Sequence, residues 1–236
     1  ANYEEHKKMD YRTNLVRPAA VFADPSYTFS VPPFQTACGI VDIMSHSYEG
    51  YFSNSLGSIQ DGFSEILQKT CIEHGRKVMM CPKDYESRLL WAAELAITHL
   101  ADQGRDFVGN LHSTEKMLSG YFSLPHGAGI AIVSLAWFKY SLNDATAPRY
   151  ARWGRNVWGI DGNQDEFTIA RQAIAKYEEF VEELGLPTRL SGLKNKVEAE
   201  VLPEAAHALF GAVDTKAWFK PLDNEEELLE FIRLAY

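Results

Sequence analysis

Asp42 and His46 stand four residues apart in TACGIVDIMSHSYEGYF, residues 36–52, a run that is otherwise small and apolar. A helix here would set the carboxylate and the imidazole one turn apart on one face. In apolar surroundings each group needs a partner, because a buried carboxylate without one is costly, and a shared cation is one solution. Two more histidines occur in HSTEKMLSGYFSLPHG: His112, expected on a helix, and His126, expected in the breaker loop that follows it. The helix and turn between them would let the loop histidine fold back toward the helical one. One oxygen and three nitrogens from Asp42, His46, His112 and His126 suit Fe(II), Zn(II), Mn(II) or Co(II), without selecting among them. The competing reading is plainer: an Asp and a His at this spacing arise by chance, and a histidine beside a helix end can simply cap carbonyls. Glu49 and Glu115 could accept hydrogen bonds from ligating imidazoles, or could be solvated or capping groups. His6, His74, His99 and His207 lie on charged or amphipathic stretches with no partner spacing, so structural roles are expected for them.

The elements that must position these residues read as helices. Thr36 can cap a helix that runs through Asp42, His46 and Glu49 and ends at SNSLGS. A second apolar-periodic segment covers about residues 58–74, and CPKDYESRLLWAAELAITHLA opens another, with Pro82 near its start and Asp84 as its cap. Residues from about 110 to 121 are helical again; SLPHGAG breaks the pattern, and IAIVSLAWFKYSL resumes it as a buried helix. QDEFTIARQAIAKYEEFVEELGLP is amphipathic and stopped by Gly185 and Pro187. DNEEELLEFIRLAY places acids in its first turn, where they complement the helix dipole. Ahead of all this, AAVFADP (19–25) is a short β-like run stopped by Asp24-Pro25. The expectation is a lead-in over 1–33 and one helical domain over 34–236, with seven to nine helices. HGAGIAI lacks a preceding strand and is a weak nucleotide signal.

Composition narrows the partners. The 236 residues are 46% hydrophobic, enough to bury a sizeable core, and the net charge of −9 repels phosphate backbones and anionic membranes. Cys38, Cys71 and Cys81 show no metal-knuckle spacing and leave one unpaired, which suits a reducing cytoplasm. No apolar run approaches the roughly 18 residues of a membrane span, and the N-terminus is too charged for a signal peptide.

Two stretches resemble a known family. DPSYTFSVPPFQTACGIVDIMSHSYEGYF is similar to the pattern Thr-Ala-x-Gly-x-x-Asp-x-x-x-His-x-x-Glu-x-Tyr of the iron-containing alcohol dehydrogenases, and HSTEKMLSGYFSLPHGAGIAI to their second metal signature. YARWGRNVWGI, ELGLPTRLSGL and FKPLDNEEELLEFIRLAY resemble the butanol-dehydrogenase branch. The resemblance implies a mainly α fold: an all-helical, dehydroquinate-synthase-like metal domain, preceded by a short β-containing lead-in that completes a nucleotide-binding domain. The family's Gly-rich phosphate loop and its sheet precede the part matched here, so this chain would dock a nicotinamide end without cradling its pyrophosphate. By the same resemblance Asp42, His46, His112 and His126 hold a divalent metal, with iron expected and zinc the alternative, and Lys8 and Tyr27 touch NAD(P)H. Lys116 stands where the family usually has a further histidine, so proton relay would fall to a lysine, which can shuttle protons when partly desolvated. The implied reaction is NAD(P)-linked oxidation of primary alcohols or reduction of aldehydes, with the metal as Lewis acid. Phe122, Trp137 and Phe138 would line the substrate pocket or pack the core, and a cytoplasmic homodimer is the expected assembly. The rivals are a metal-dependent hydrolase or lyase using Glu115, and a truncated, non-catalytic metal-binding domain.

Overall fold

Apolar residues recur at helical spacing from residue 33 to the C-terminus, and the computed structural model folds them into nine α-helices among the described residues. It describes residues 2, 4–6, 8, 13–16, 18–20, 22–55, 57–89, 109–193 and 198–236. The helices are α1 (Pro33–Tyr51), α2 (Ser58–Met80), α3 (Tyr85–Arg88), α4 (Asn110–Phe122), α5 (His126–Ser141), α6 (Ala147–Asn156), α7 (Glu166–Glu183), α8 (Leu202–Phe210) and α9 (Glu225–Leu234). Local signals set several of their starts. Asp84, Asp165 and Asn224 each accept a backbone N–H from three residues ahead, at 2.8, 3.0 and 3.0 Å. Gly185, at φ +73°, carries the chain away from the end of α7. The helix expected beyond Asp84 and its His99 lie outside the described residues, apart from the single turn of α3.

α5 is buried on every side from Gly127 to Phe138, as a helix that is apolar all round must be. It packs against α1, α4, α7 and α9, so the other elements are arranged around it. Trp137 and Phe138 are therefore core residues. Phe138 meets Tyr48, Phe52, Tyr150, Trp153 and Tyr177 in an aromatic cluster with ring centroids 5.0–5.8 Å away. Phe122 belongs to the same continuous core.

Two expectations are corrected. Thr36 is not the cap of α1: the helix begins at Pro33, where a fixed φ suits the first turn, and the Thr36 hydroxyl instead donates to Val31 O and accepts from the buried Arg88 guanidinium. The β-containing lead-in is not seen, since no strand occurs among the described residues. Around the expected β-like run, Phe22 is 96% exposed and Tyr27 85%, and Asp24 starts a 3-10 turn, Pro25–Thr28, by accepting from Ser26 N–H. No described helix is long and apolar enough to cross a membrane.

Candidate metal centre

Three helices deliver the chemistry-bearing side chains to one point. α1 contributes Asp42, His46 and Glu49 from successive turns of one face, and α4 contributes His112 and Glu115. His126 is the first residue of α5, and this corrects its expected place in a breaker loop. The glycines after it do not end a helix; they let α5 approach its neighbours. A Cβ on Gly127 would lie 2.3 Å from the Cys38 carbonyl oxygen of α1, and one on Gly129 would lie 2.9 Å from Glu115 Cγ of α4. Close packing, not chain breaking, is the reason for glycine there.

Asp42 Oδ1 lies 3.3 Å from His126 Nε2, 3.6 Å from His112 Nε2 and 3.9 Å from His46 Nε2. One ligand atom from each of Asp42, His112 and His126 falls within 4.8 Å of the others. His46 stands at the edge of this trio, its ring stacked on that of His112 with centroids 4.6 Å apart. Asp42 Oδ1, Glu49 Oε2 and both ring nitrogens of His112 are buried without hydrogen-bond geometry to a partner, although they face one another. Donor atoms around a tetrahedral ion at about 2.1 Å stand roughly 3.4 Å apart, so the observed spacings fit a shared cation better than direct hydrogen bonding. Behind the donors, His112 Nδ1 faces Glu49 Oε2 at 3.0 Å, and His126 Nδ1 meets Glu115 Oε2 at 2.5 Å. Glu49 also accepts the His112 backbone N–H at 3.0 Å. Both glutamates are buried. Each ring thus turns one nitrogen to a carboxylate and the other to the common point, the arrangement that fixes a ligating imidazole.

The charges are mutually adjusted. Burial alone would raise the Asp42 carboxyl, yet the imidazoles of His112, His126 and His46 hold it below its usual range. Burial pushes His112 and His126 down, but Asp42 with Glu49, and Asp42 with Glu115, outweigh it and raise both to about 9. His46 is lowered, first by burial and then by its neighbour His112.

The remaining expected residues are placed as follows. Lys116 is half-buried one turn beyond His112 on the same face of α4. Tyr27 lies on the exposed 3-10 turn. Lys8 reaches inward, its ammonium 3.1 Å from both oxygens of Glu115 and 3.2 Å from Ser119 Oγ. His6 stacks on Tyr121 with centroids 4.4 Å apart, His74 Nδ1 lies 3.3 Å from Ser87 Oγ, and exposed His207 pairs with Glu225. The pairing of Lys8 with Glu115 had no sequence signal. A groove of about 720 Å³, lined by residues including Phe34, Leu124, Pro125, Leu186 and Pro187, has none of the imidazole or carboxylate groups among its described lining residues.

Among the described residues, a helical scaffold thus presents a carboxylate and imidazoles to one point, a candidate metal site. The family described as Fe-containing alcohol dehydrogenase, C-terminal, matches residues 36–236, and the chain belongs to it. It is 39% identical over 242 residues to NADH-dependent butanol dehydrogenase A of Clostridium acetobutylicum, covering 100% of this chain and 61% of that one. To butanol dehydrogenase B of the same organism it is 42% identical over 193 residues, covering 80% of this chain and 50% of that one. The chain therefore spans less than two thirds of the length of either relative. Among solved structures it superposes on E. coli YqhD with a TM-score of 0.89 at 26% identity, covering 100% of this chain and 60% of that one. For NADH-dependent butanol dehydrogenase A of Thermotoga maritima the TM-score is 0.87 at 26% identity, covering 99% and 60%.

Proposed function

We propose that this chain is the metal-holding catalytic part of an NAD(P)-linked dehydrogenase that interconverts primary alcohols and aldehydes. The observation that carries this reading is the convergence of Asp42, His112 and His126 on one point, each imidazole backed by a buried glutamate. Asp42, His46, His112 and His126 are the proposed ligands, with iron as the expected ion. When bound, the ion supplies Lewis acidity toward the substrate oxygen, and the nicotinamide supplies or accepts the hydride.

The chain's own residues prepare that site. Glu115 meets the Nδ1 side of His126 and Glu49 Oε2 faces that of His112, so that each ring, with its proton at Nδ1, would turn its Nε2 lone pair inward. Asp42 adds one negative charge to neutral imidazoles, a donor set that leaves a divalent site net positive. Lys116, one turn from His112, is the proposed carrier of the proton that leaves or joins the substrate oxygen. Tyr27 is the lead-in residue proposed to meet the cofactor; Lys8, the other residue expected to do so, would have to leave Glu115 and Ser119, which take up its three N–H groups. The proposed division is a lead-in over 1–33 and a catalytic domain over 34–236. A cytoplasmic homodimer follows from the same resemblance. The hydrolase alternative is disfavoured, because its acid–base candidate, Glu115, is fully buried and already bound to His126 and Lys8.

Metal analysis of purified protein, grown with iron and zinc in excess, tests the reading. About one divalent ion per chain is expected, with His112→Ala and His126→Ala each losing most of it. Wild-type protein that carries no metal would refute it.

A further inference from the structure

Lys8 belongs to the lead-in, yet its ammonium is spent deep in the helical domain. Its three N–H groups match three acceptors: Glu115 Oε1 and Oε2 at 3.1 Å and Ser119 Oγ at 3.2 Å. Ser119 Oγ in turn lies 3.2 Å from Leu124 O, in the short link between α4 and α5 that ends at His126. Two residues away, His6 stacks on Tyr121 with ring planes within 5°. The lead-in is thereby fastened at two points to the last turns of α4.

The stem of Glu115 is packed in place, which leaves the rotation of its carboxylate to be fixed by its partners. Glu115 is fully buried, and its Cγ side is walled by Gly129, where an added Cβ would stand 2.9 Å away. Its one cationic side-chain partner besides His126, among the described residues, is Lys8. The two glutamates behind the imidazoles therefore differ: Glu49 is oriented by the backbone N–H of His112, whereas Glu115 is oriented by a side chain 107 residues distant.

We propose that Lys8 is a positioning residue for the metal centre: by gripping both oxygens of Glu115 it sets the carboxylate plane that receives His126 Nδ1–H, and so aims His126 Nε2 at Asp42 and the metal. This role rests on the metal reading above and extends it, because it makes the lead-in part of the site. A carboxylate released from Lys8 can rotate, and His126 then loses the hydrogen bond that fixes its ring.

The test uses the full chain as wild type, Lys8→Met, Lys8→Arg, Glu115→Gln and the Lys8→Met/Glu115→Gln double variant, with two readouts. The first is cobalt(II) affinity and absorption spectrum. Lys8→Met is expected to weaken binding by about 10- to 100-fold and shift the spectrum. Lys8→Arg should stay near wild type, since a guanidinium also meets a carboxylate through two N–H groups. The double variant should lose no more than Glu115→Gln alone, because one path is cut twice. The second readout, on metal-free protein, is the downfield, slowly exchanging Nδ1–H resonance of His126, retained in Lys8→Arg and lost in Lys8→Met. Unchanged affinity and resonance in Lys8→Met, or fully additive losses in the double variant, would overturn the role of Lys8 while leaving the metal site intact. Wild-type protein that takes up no cobalt would overturn the metal reading and this role together. Should Lys8→Met fail to fold, Glu115→Gln and Lys8→Arg keep the comparison: a normal resonance in Glu115→Gln sinks the idea.

Discussion

At the scale of single residues, the imidazoles make the protein's response to pH depend on the metal. His112 and His126 are raised to about 9 from an ordinary 6.5, because their carboxylate partners outweigh burial. A raised value means that the protonated form is favoured by folding. That stabilisation is complete below about 6.5 and is lost as pH rises through about 9. His46, lowered by burial and by His112, is neutral over that interval and does not oppose the trend. Metal binding needs the neutral rings, so its stabilisation grows over the same interval. Metal-free protein is thus expected to lose thermal stability from neutrality toward pH 9, while the gap between metal-loaded and metal-free melting temperatures widens. Melting curves with zinc and with chelator, taken across that range, check it; a constant gap would contradict it. The ligand candidates were legible because Asp42 and His46 share a helix face and His112 and His126 flank a recognisable helix end. Lys8 was not, because nothing local couples it to Glu115, 107 residues away.

At the scale of elements, what could be read depended on whether the cause was local. Asp84 announced its helix because a cap acts within three residues, whereas the helices that Asp165 and Asn224 cap were read from their periodicity and first-turn acids. The start of α5 was misread because glycine has two uses, and only tertiary structure tells them apart. Gly127 serves close approach: its Cβ would meet the Cys38 backbone, which cannot swing aside as a side chain can. Gly62 on α2 has nothing within 4 Å and serves no such need. Gly127→Ala is therefore expected to destabilise the protein by at least about 1–3 kcal/mol, since α5 must shift relative to α1. The same shift moves His126 relative to Asp42, so metal affinity should fall with stability. Gly62→Ala should instead stabilise by up to about 1 kcal/mol through reduced unfolded-state entropy and better helix propensity. Urea denaturation of the two variants separates these opposite signs, and similar effects from both would refute the assignment of Gly127.

At the scale of the whole molecule, the helix that carries Asp42 and His46 is held at its far end by charge. Arg149 of α6 donates to Tyr51 O, the last residue of α1, at 2.8 Å and grips both oxygens of Asp61 on α2 at 2.6 and 2.7 Å. Its guanidinium also lies 4.0 Å from the centre of the Tyr51 ring, and Arg152 adds a contact of 3.1 Å to Asp61 and one of 2.7 Å to Glu65. Three helices meet there around a carboxylate that is 2% exposed. Removing one member of such a buried pair leaves a charge without its partner, at a cost of about 3–5 kcal/mol, whereas replacing both by apolar groups is often nearly neutral. Arg149→Met should approach that loss, eased by the remaining contact with Arg152, and Asp61→Leu in the same chain should recover part of it. Five residues of helix, about 7.5 Å, separate Tyr51 from His46, the nearer proposed ligand, and nine, about 13 Å, separate it from Asp42. The folded fraction of Arg149→Met should therefore bind metal with wild-type affinity. Chemical denaturation beside a metal titration checks both halves, and a parallel drop in affinity would mean that the network shapes the metal centre itself as well as supporting the helices beneath it.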